Sequence, residues 1–249
     1  MRHFILSLFF LLSTSQIEAQ KLVTNTDIWY SPTFSMDYVG GFRSMNDGLH
    51  YSSLEQDGSV ASIVMYSYAT GDKVSVVMDE SSLPEGAHID DYSFSADEKK
   101  MLIASGQASI YRHSSNADYY IYEKGSRECS ALTDIKKGKS RLAEFSPDGS
   151  KVAFVRENDL YMVDLASGNE KRITEDGKMN HIINGATDWV YEEEFAFDKG
   201  FYWSPDSKHI AFYRFDESKV KEFQMAMYHG DLYPSQYTLK YPKAGEQNS

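Results

Sequence analysis

The chain has 249 residues, 41% of them hydrophobic and 14% aromatic, and a formal net charge of -12. That length and apolar content suit a packed globule and exclude a predominantly disordered chain. The acidic balance excludes nucleic acid and anionic membrane surfaces as natural partners and favours cationic ligands.

The chain opens on the basic start Met1-Arg2-His3, followed by an apolar stretch from Phe4 to Leu12 and by Ile17-Glu18-Ala19 ahead of Gln20. This pattern predicts a secretory signal peptide over residues 1–19 and an exported, periplasmic or secreted chain over 20–249. Removing the leader takes away Arg2 and Glu18, one charge of each sign, so the mature charge stays at -12. No later segment approaches the roughly 20 apolar residues of a spanning helix, so no membrane span is expected. The single cysteine, Cys129, allows no intrachain disulfide and is read as a small buried hydrophobe.

A repeated unit then organises the chain. Phe145-Ser146-Pro147-Asp148-Gly149 runs into the apolar segment Lys151 to Arg156, and Leu160 to Leu165 follows. Trp203-Ser204-Pro205-Asp206 leads into His209 to Arg214, Phe94-Ser95-Ala96-Asp97 into Lys100 to Ala104, and a fainter copy starts at Asn46-Asp47-Gly48. Intervals of 50, 51 and 58 residues separate Asp47, Asp97, Asp148 and Asp206. In each unit an aromatic residue ends one strand, the turn reverses the chain, and a buried strand follows. Small antiparallel sheets of that kind bury both faces only by stacking radially, so the period predicts an all-β fold: a partial β-propeller of four-stranded blades. Phe145 and Trp203 are expected in the core. The Asp-Gly pairs at Asp47, Asp57, Asp148 and Asp176 are expected in hairpin turns, and none has calcium-loop spacing.

The longest interval holds the run Asp188-Trp189-Val190-Tyr191-Glu192-Glu193-Glu194-Phe195. With Asp188 as cap, it predicts a short helix, inserted between strands of a blade, whose aromatic residues anchor it and whose carboxylates protrude to form an anionic site. A solvated acidic turn is the alternative reading of such a run.

Thr187 to Phe195, the following Trp203-Ser204-Pro205-Asp206, Arg214-Phe215-Asp216-Glu217-Ser218 and Tyr241-Pro242-Lys243-Ala244-Gly245 resemble the N-terminal propeller of the dipeptidyl peptidase IV family, in the prolyl oligopeptidase group of serine peptidases. The resemblance covers nearly the whole mature chain, weakly before about residue 90, and the Asp-Trp-Val-Tyr-Glu-Glu-Glu string is its most specific element. It implies that Glu193 and Glu194 hold a substrate's N-terminal ammonium, with no such role for Glu192. It also implies that Arg112, in Tyr111-Arg112-His113-Ser114, contacts a substrate carbonyl oxygen. His113 receives no role. The chemistry agrees, because an α-amino group titrates near 8 and glutamates near 4, so a cation meets anionic oxygens at neutral pH. The resemblance further implies release of N-terminal dipeptides, X-Pro or X-Ala, and homodimer contacts through residues 220–241.

No Gly-x-Ser-x-Gly string occurs among the 249 residues, so no nucleophile elbow or triad is assignable and no catalytic residue is placed in this chain. The seven histidines form no His-Glu-x-x-His pattern, there is no glycine-rich phosphate loop, and no metal or cofactor is expected. On this reading the chain is the recognition part of a larger exported exopeptidase whose α/β-hydrolase domain lies elsewhere, and is inactive by itself. A non-catalytic β-propeller module that binds or scaffolds proteins is the rival.

Overall fold

The computed structural model describes residues 22–36, 41–58 and 60–249; the expected signal peptide, 1–19, lies outside them. The chain divides at Gly41 into two compact units. In the described part of the first, a short helix α1 (Asn25–Trp29) starts with a capping box: the Asp27 N–H donates to Thr24 Oγ1 (3.2 Å) and the Thr24 N–H donates to Asp27 Oδ2 (3.0 Å). A single 3-10 turn, Pro32–Phe34, follows.

The second unit is a partial β-propeller, built from three four-stranded antiparallel sheets and a divided fourth. The first sheet holds β1 (Arg43–Ser44), β2 (His50–Asp57), β3 (Val60–Ser67) and β4 (Lys73–Asp79). The second holds β5 (Asp91–Phe94), β6 (Lys100–Ser109), β7 (Ser115–Glu123) and β8 (Glu128–Ala131). The third holds β9 (Arg141–Phe145), β10 (Lys151–Arg156), β11 (Asp159–Asp164) and β12 (Glu170–Arg172). Each is a meander in which sequential strands are neighbours.

Strand alternation explains the stacking. Along β6, Met101 and Ile103 face one way and join Ile63 and Met78 of the first sheet, while Leu102 faces the other way and joins Phe145, Phe154 and Val163 of the third. Along β10, Val152 and Phe154 look back toward the second sheet, and Ala153 and Val155 look forward to Ile183, Phe201 and Phe215. Each fully buried Val, Leu, Ile, Met or Phe among them contributes about 1.5–3 kcal/mol. Cys129 packs half-buried against the first of these cores, and burial pushes its thiol up to about 11, which favours the neutral form.

The repeat turns share one hydrogen-bond device. The Ser95, Ser146 and Ser204 hydroxyls donate to Asp97, Asp148 and Asp206 at 2.8, 2.6 and 2.6 Å. The same hydroxyls accept the N–H groups of Lys100, Lys151 and His209 at 3.0, 3.0 and 2.9 Å. In the fainter copy Met45 stands at the serine position, and His50 Nδ1 takes over as partner of Asp47 at 2.6 Å. The residue after each aspartate is left-handed: Gly48, Glu98, Gly149 and Ser207 have φ between 55° and 67°.

The fourth sheet departs from expectation in an informative way. Strands β13 (Ile182–Asn184) and β14 (Phe201–Trp203) are two halves of one strand. They pair with β16 (Arg214–Asp216) and β15 (Ile210–Phe212), which are separated from each other only by Tyr213. The segment 186–199 is therefore extruded from within a strand rather than inserted between strands. Its neck is closed by Gly200 N–H to Gly185 O (3.0 Å), by Thr187 N–H to Asp198 O (3.2 Å) and by a bridge between Ala186 and Lys199. A last hairpin joins β17 (Glu222–Met227) to β18 (Ser235–Lys240).

The Asp176-Gly177 pair is not a hairpin turn. The Gly177 N–H donates to buried Asp159 (2.9 Å), and Asp176 accepts from Asn184 (2.8 Å) and Arg214 (2.8 Å). The pair thus ties the connection after β12 to the divided strand.

Candidate functional site

The extruded segment carries helix α2 (Trp189–Phe195), capped by Asp188, whose Oδ1 accepts the Tyr191 N–H at 3.0 Å. Ala196 ends it in the left-handed conformation, φ 50°. Aromatic contacts hold the helix on two sides. Trp189 packs on Tyr241 (ring centroids 4.7 Å), which packs on Phe223 of β17 (5.5 Å). Tyr191 packs on Phe215 of β16 at 4.8 Å.

Successive helical residues diverge by about 100°, and the three glutamates meet three different environments. Glu192 points inward and is 1% exposed. Its Oε1 accepts the backbone N–H groups of His113 (2.7 Å) and Ser114 (2.9 Å), in the β6–β7 loop. Glu193, with its side chain 24% exposed, faces Arg112 of the same loop in a two-point contact: Nη2 to Oε1 at 2.8 Å and Nε to Oε2 at 3.1 Å. Glu194 is exposed, and its carboxylate has no hydrogen-bond or ion-pair partner among the described residues. The structure thus brings Arg112 to Glu193, places Glu194 beside them with its carboxylate free, and gives Glu192 a role that the sequence alone did not assign.

A cavity of about 380 Å³ is lined by residues that include Tyr111, next to Arg112, and Thr187, next to the helix cap Asp188, together with Arg141, Glu217 and Tyr237. Glu217, from the Arg214 to Ser218 motif, is 6% exposed, and its carboxyl is pushed up to about 7. Burial is the main cause and the Asp188 carboxylate adds to it, while Lys240 and Arg141 oppose. Burial also pushes the Tyr111 hydroxyl up and pulls the Arg141 guanidinium down, the latter against the attraction of Tyr111, Glu192, Asp198 and Glu217. Sequence reasoning missed Arg141 and Glu217 as parts of this site. Glu217 lay inside a recognised motif, whereas Arg141 carries no pattern and is found only by burial.

No group of three or more His, Cys, Asp or Glu side chains is arranged to hold a metal ion among the described residues, and none of their helices is long and apolar enough to cross a membrane. The β17–β18 hairpin ends in exposed Tyr228, Leu232 and Tyr233.

Comparison with known proteins agrees with this architecture. The crystal structure of dipeptidyl peptidase 4 from Porphyromonas gingivalis superposes with a TM-score of 0.83 at 40% sequence identity, covering 92% of this chain and 32% of that one. Dipeptidyl aminopeptidase B of Saccharomyces cerevisiae is 36% identical over 165 residues, 64% of this chain and 20% of its own length. Human prolyl endopeptidase FAP is 29% identical over 235 residues, 94% of this chain and 30% of its own length. The chain thus spans less than a third of these curated relatives. The sequence profile of the dipeptidyl peptidase IV N-terminal region matches residues 95–249, and the chain belongs to that family.

Proposed function

We propose that this chain is the substrate-recognising propeller portion of an exported serine exopeptidase that releases dipeptides, X-Pro or X-Ala, from free peptide N-termini. Glu193 and Glu194 hold the substrate ammonium, and Arg112 contacts a carbonyl oxygen of the bound dipeptide. The nucleophile and its partners belong to an α/β-hydrolase domain outside these 249 residues. The observation that carries the reading is the meeting of Arg112 and Glu193 in a two-point contact (2.8 and 3.1 Å) beside the unpartnered carboxylate of Glu194. A cation held between the two glutamates also acts as a ruler, because two extended residues reach about 7 Å and so set the bond that is cut. Internal peptide segments lack the ammonium and leave the Glu194 carboxylate unpartnered. The exposed aromatic end of the β17–β18 hairpin suits the homodimer contact proposed for residues 220–241.

The test is steady-state kinetics of the full-length protein on an X-Pro-4-nitroanilide with a free or an acetylated amine. Glu193→Gln and Glu194→Gln are each expected to lower kcat/KM for the free amine at least tenfold, and the acetylated substrate is expected to be poor throughout. Unchanged kinetics in both variants rejects the ammonium site. No turnover by the full-length protein, with peptide binding retained, favours the non-catalytic module instead.

A further inference from the structure

Glu192 is an ionisable side chain with 1% exposure in a helix only seven residues long, and its Oε1 accepts two backbone N–H groups. Those groups belong to His113 and Ser114, the two residues after Arg112. On the helix the next residue is Glu193, the partner of Arg112. Two adjacent tie points therefore join the same two segments, one buried and one exposed.

Their strengths differ for a physical reason. The Arg112 side chain is 70% exposed, so its ion pair with Glu193 is screened by water and cannot alone order a loop. The Glu192 carboxyl is itself buried, and its bond to the Ser114 amide lies out of solvent and that to the His113 amide partly so, where an unsatisfied backbone N–H is costly. Ser114 is itself buried and its hydroxyl has no partner, so its backbone amide is the group that fixes it to the helix. The loop closes on itself only through Ile110 N–H to Ser114 O at 2.8 Å, a bond that leaves the orientation of Arg112 relative to α2 undetermined.

We propose that Glu192 is a positioning residue for substrate recognition. By clamping the two amides that follow Arg112, it sets the Arg112 loop against α2, so that Arg112, Glu193 and Glu194 are in place before the substrate arrives. This rests on the assignment of the ammonium site to Glu193 and Glu194. Without the clamp, substrate binding must itself order the loop, and the loss falls on binding more than on the chemical step.

The test uses the full-length protein, an X-Pro-4-nitroanilide with a free amine, and three variants. Glu192→Leu removes the acceptor of both bonds while keeping most of the volume. Glu192→Asp withdraws the acceptor by one methylene. Glu192→Gln keeps an acceptor oxygen of the same reach. KM is expected to rise at least tenfold in Glu192→Leu and in Glu192→Asp, with kcat changed less than threefold, and Glu192→Gln is expected to stay within about threefold of the parent KM. Hydrogen exchange of the peptide spanning 109–116 is expected to quicken in the first two and not in the third. Should Glu192→Leu fail to fold, Glu192→Asp against Glu192→Gln decides by the same criteria. A parent-like KM in a folded Leu or Asp variant overturns the proposal, whatever the exchange shows, and so does an equal fall in kcat with KM unchanged. Failure of the ammonium site itself has another signature, unchanged kinetics in Glu193→Gln and Glu194→Gln.

Discussion

Arg112 and Glu193 lie 81 residues apart in sequence and meet through two parallel contacts, one from Nη2 and one from Nε. Only the planar fork of a guanidinium matches both carboxylate oxygens at once, and a lysine ammonium is a single point charge. Arg112→Lys therefore keeps the charge and loses the geometry. KM for a free-amine dipeptide substrate is expected to rise about tenfold, whereas thermal stability stays within about 0.5 kcal/mol because the guanidinium is largely in water. A melt together with a substrate titration checks both halves.

Glu217 predicts how stability responds to pH. Its carboxyl titrates near 7 in the fold against an ordinary value of 4.5. Between those values the folded chain holds a proton that the unfolded chain has released, so its contribution to stability falls as pH rises from about 4.5 to about 7 and is level above that. Glu217→Gln is neutral at every pH and removes this slope. Denaturant unfolding at pH 5 and pH 8 should show a smaller difference in the variant than in the parent, and an identical difference rejects the assignment.

The repeat was legible because each turn depends on short-range chemistry. Ser146 and Asp148 bond to each other and to amides a few residues on, so the string Ser-Pro-Asp-Gly states its own geometry. The left-handed residue after the aspartate was legible as glycine at Gly48 and Gly149 but hidden at Glu98 and Ser207, where surrounding hydrogen bonds impose it. Glu193 and Glu194 were singled out by the Asp-Trp-Val-Tyr-Glu-Glu-Glu string and Arg112 by the separate Tyr111-Arg112-His113-Ser114 motif, both through resemblance to one family. Glu192 looks the same as its neighbours in sequence and differs only by the helical rotation that turns it toward the amides of a distant loop. The divided strand was illegible for the same reason: Asn184 and Phe201 become near neighbours only through their pairing with Arg214 and Phe212.

The turn device yields a stability prediction. Buried Ser146 is both donor to Asp148 and acceptor for the Lys151 N–H, and the Asp148 N–H reaches onward to Ser207 Oγ at 3.0 Å, linking the third turn to the fourth. Ser146→Ala leaves the Lys151 amide without its side-chain acceptor and is expected to cost about 1–3 kcal/mol in chemical denaturation. The Ser146 hydroxyl is also the first cause that holds the Asp148 carboxyl below the usual carboxylate range. That stabilisation is present above the unfolded value and is lost as pH falls toward the folded one, so acid unfolding should begin at higher pH in the variant.

Gly200 is the position where the fold and the site meet most tightly. It sits at the neck from which the α2 segment leaves the divided strand, and its backbone is not left-handed. A Cβ there would lie 2.9 Å from Ala186 N, 3.0 Å from Ala186 O and 3.0 Å from Gly185 C, all of them backbone atoms that no rotamer change can move. Gly200→Ala must therefore widen the neck, at a cost of about 1–3 kcal/mol. Widening breaks the register that aims α2, because the same neck carries Thr187 N–H to Asp198 O directly below the helix cap Asp188. The expected result is a folded protein with lower melting temperature, raised KM for free-amine substrates and faster exchange across 186–199. A melting temperature and KM both equal to the parent's would show that the neck tolerates a methyl group and that the helix is held by its aromatic contacts with Phe215 and Tyr241 alone.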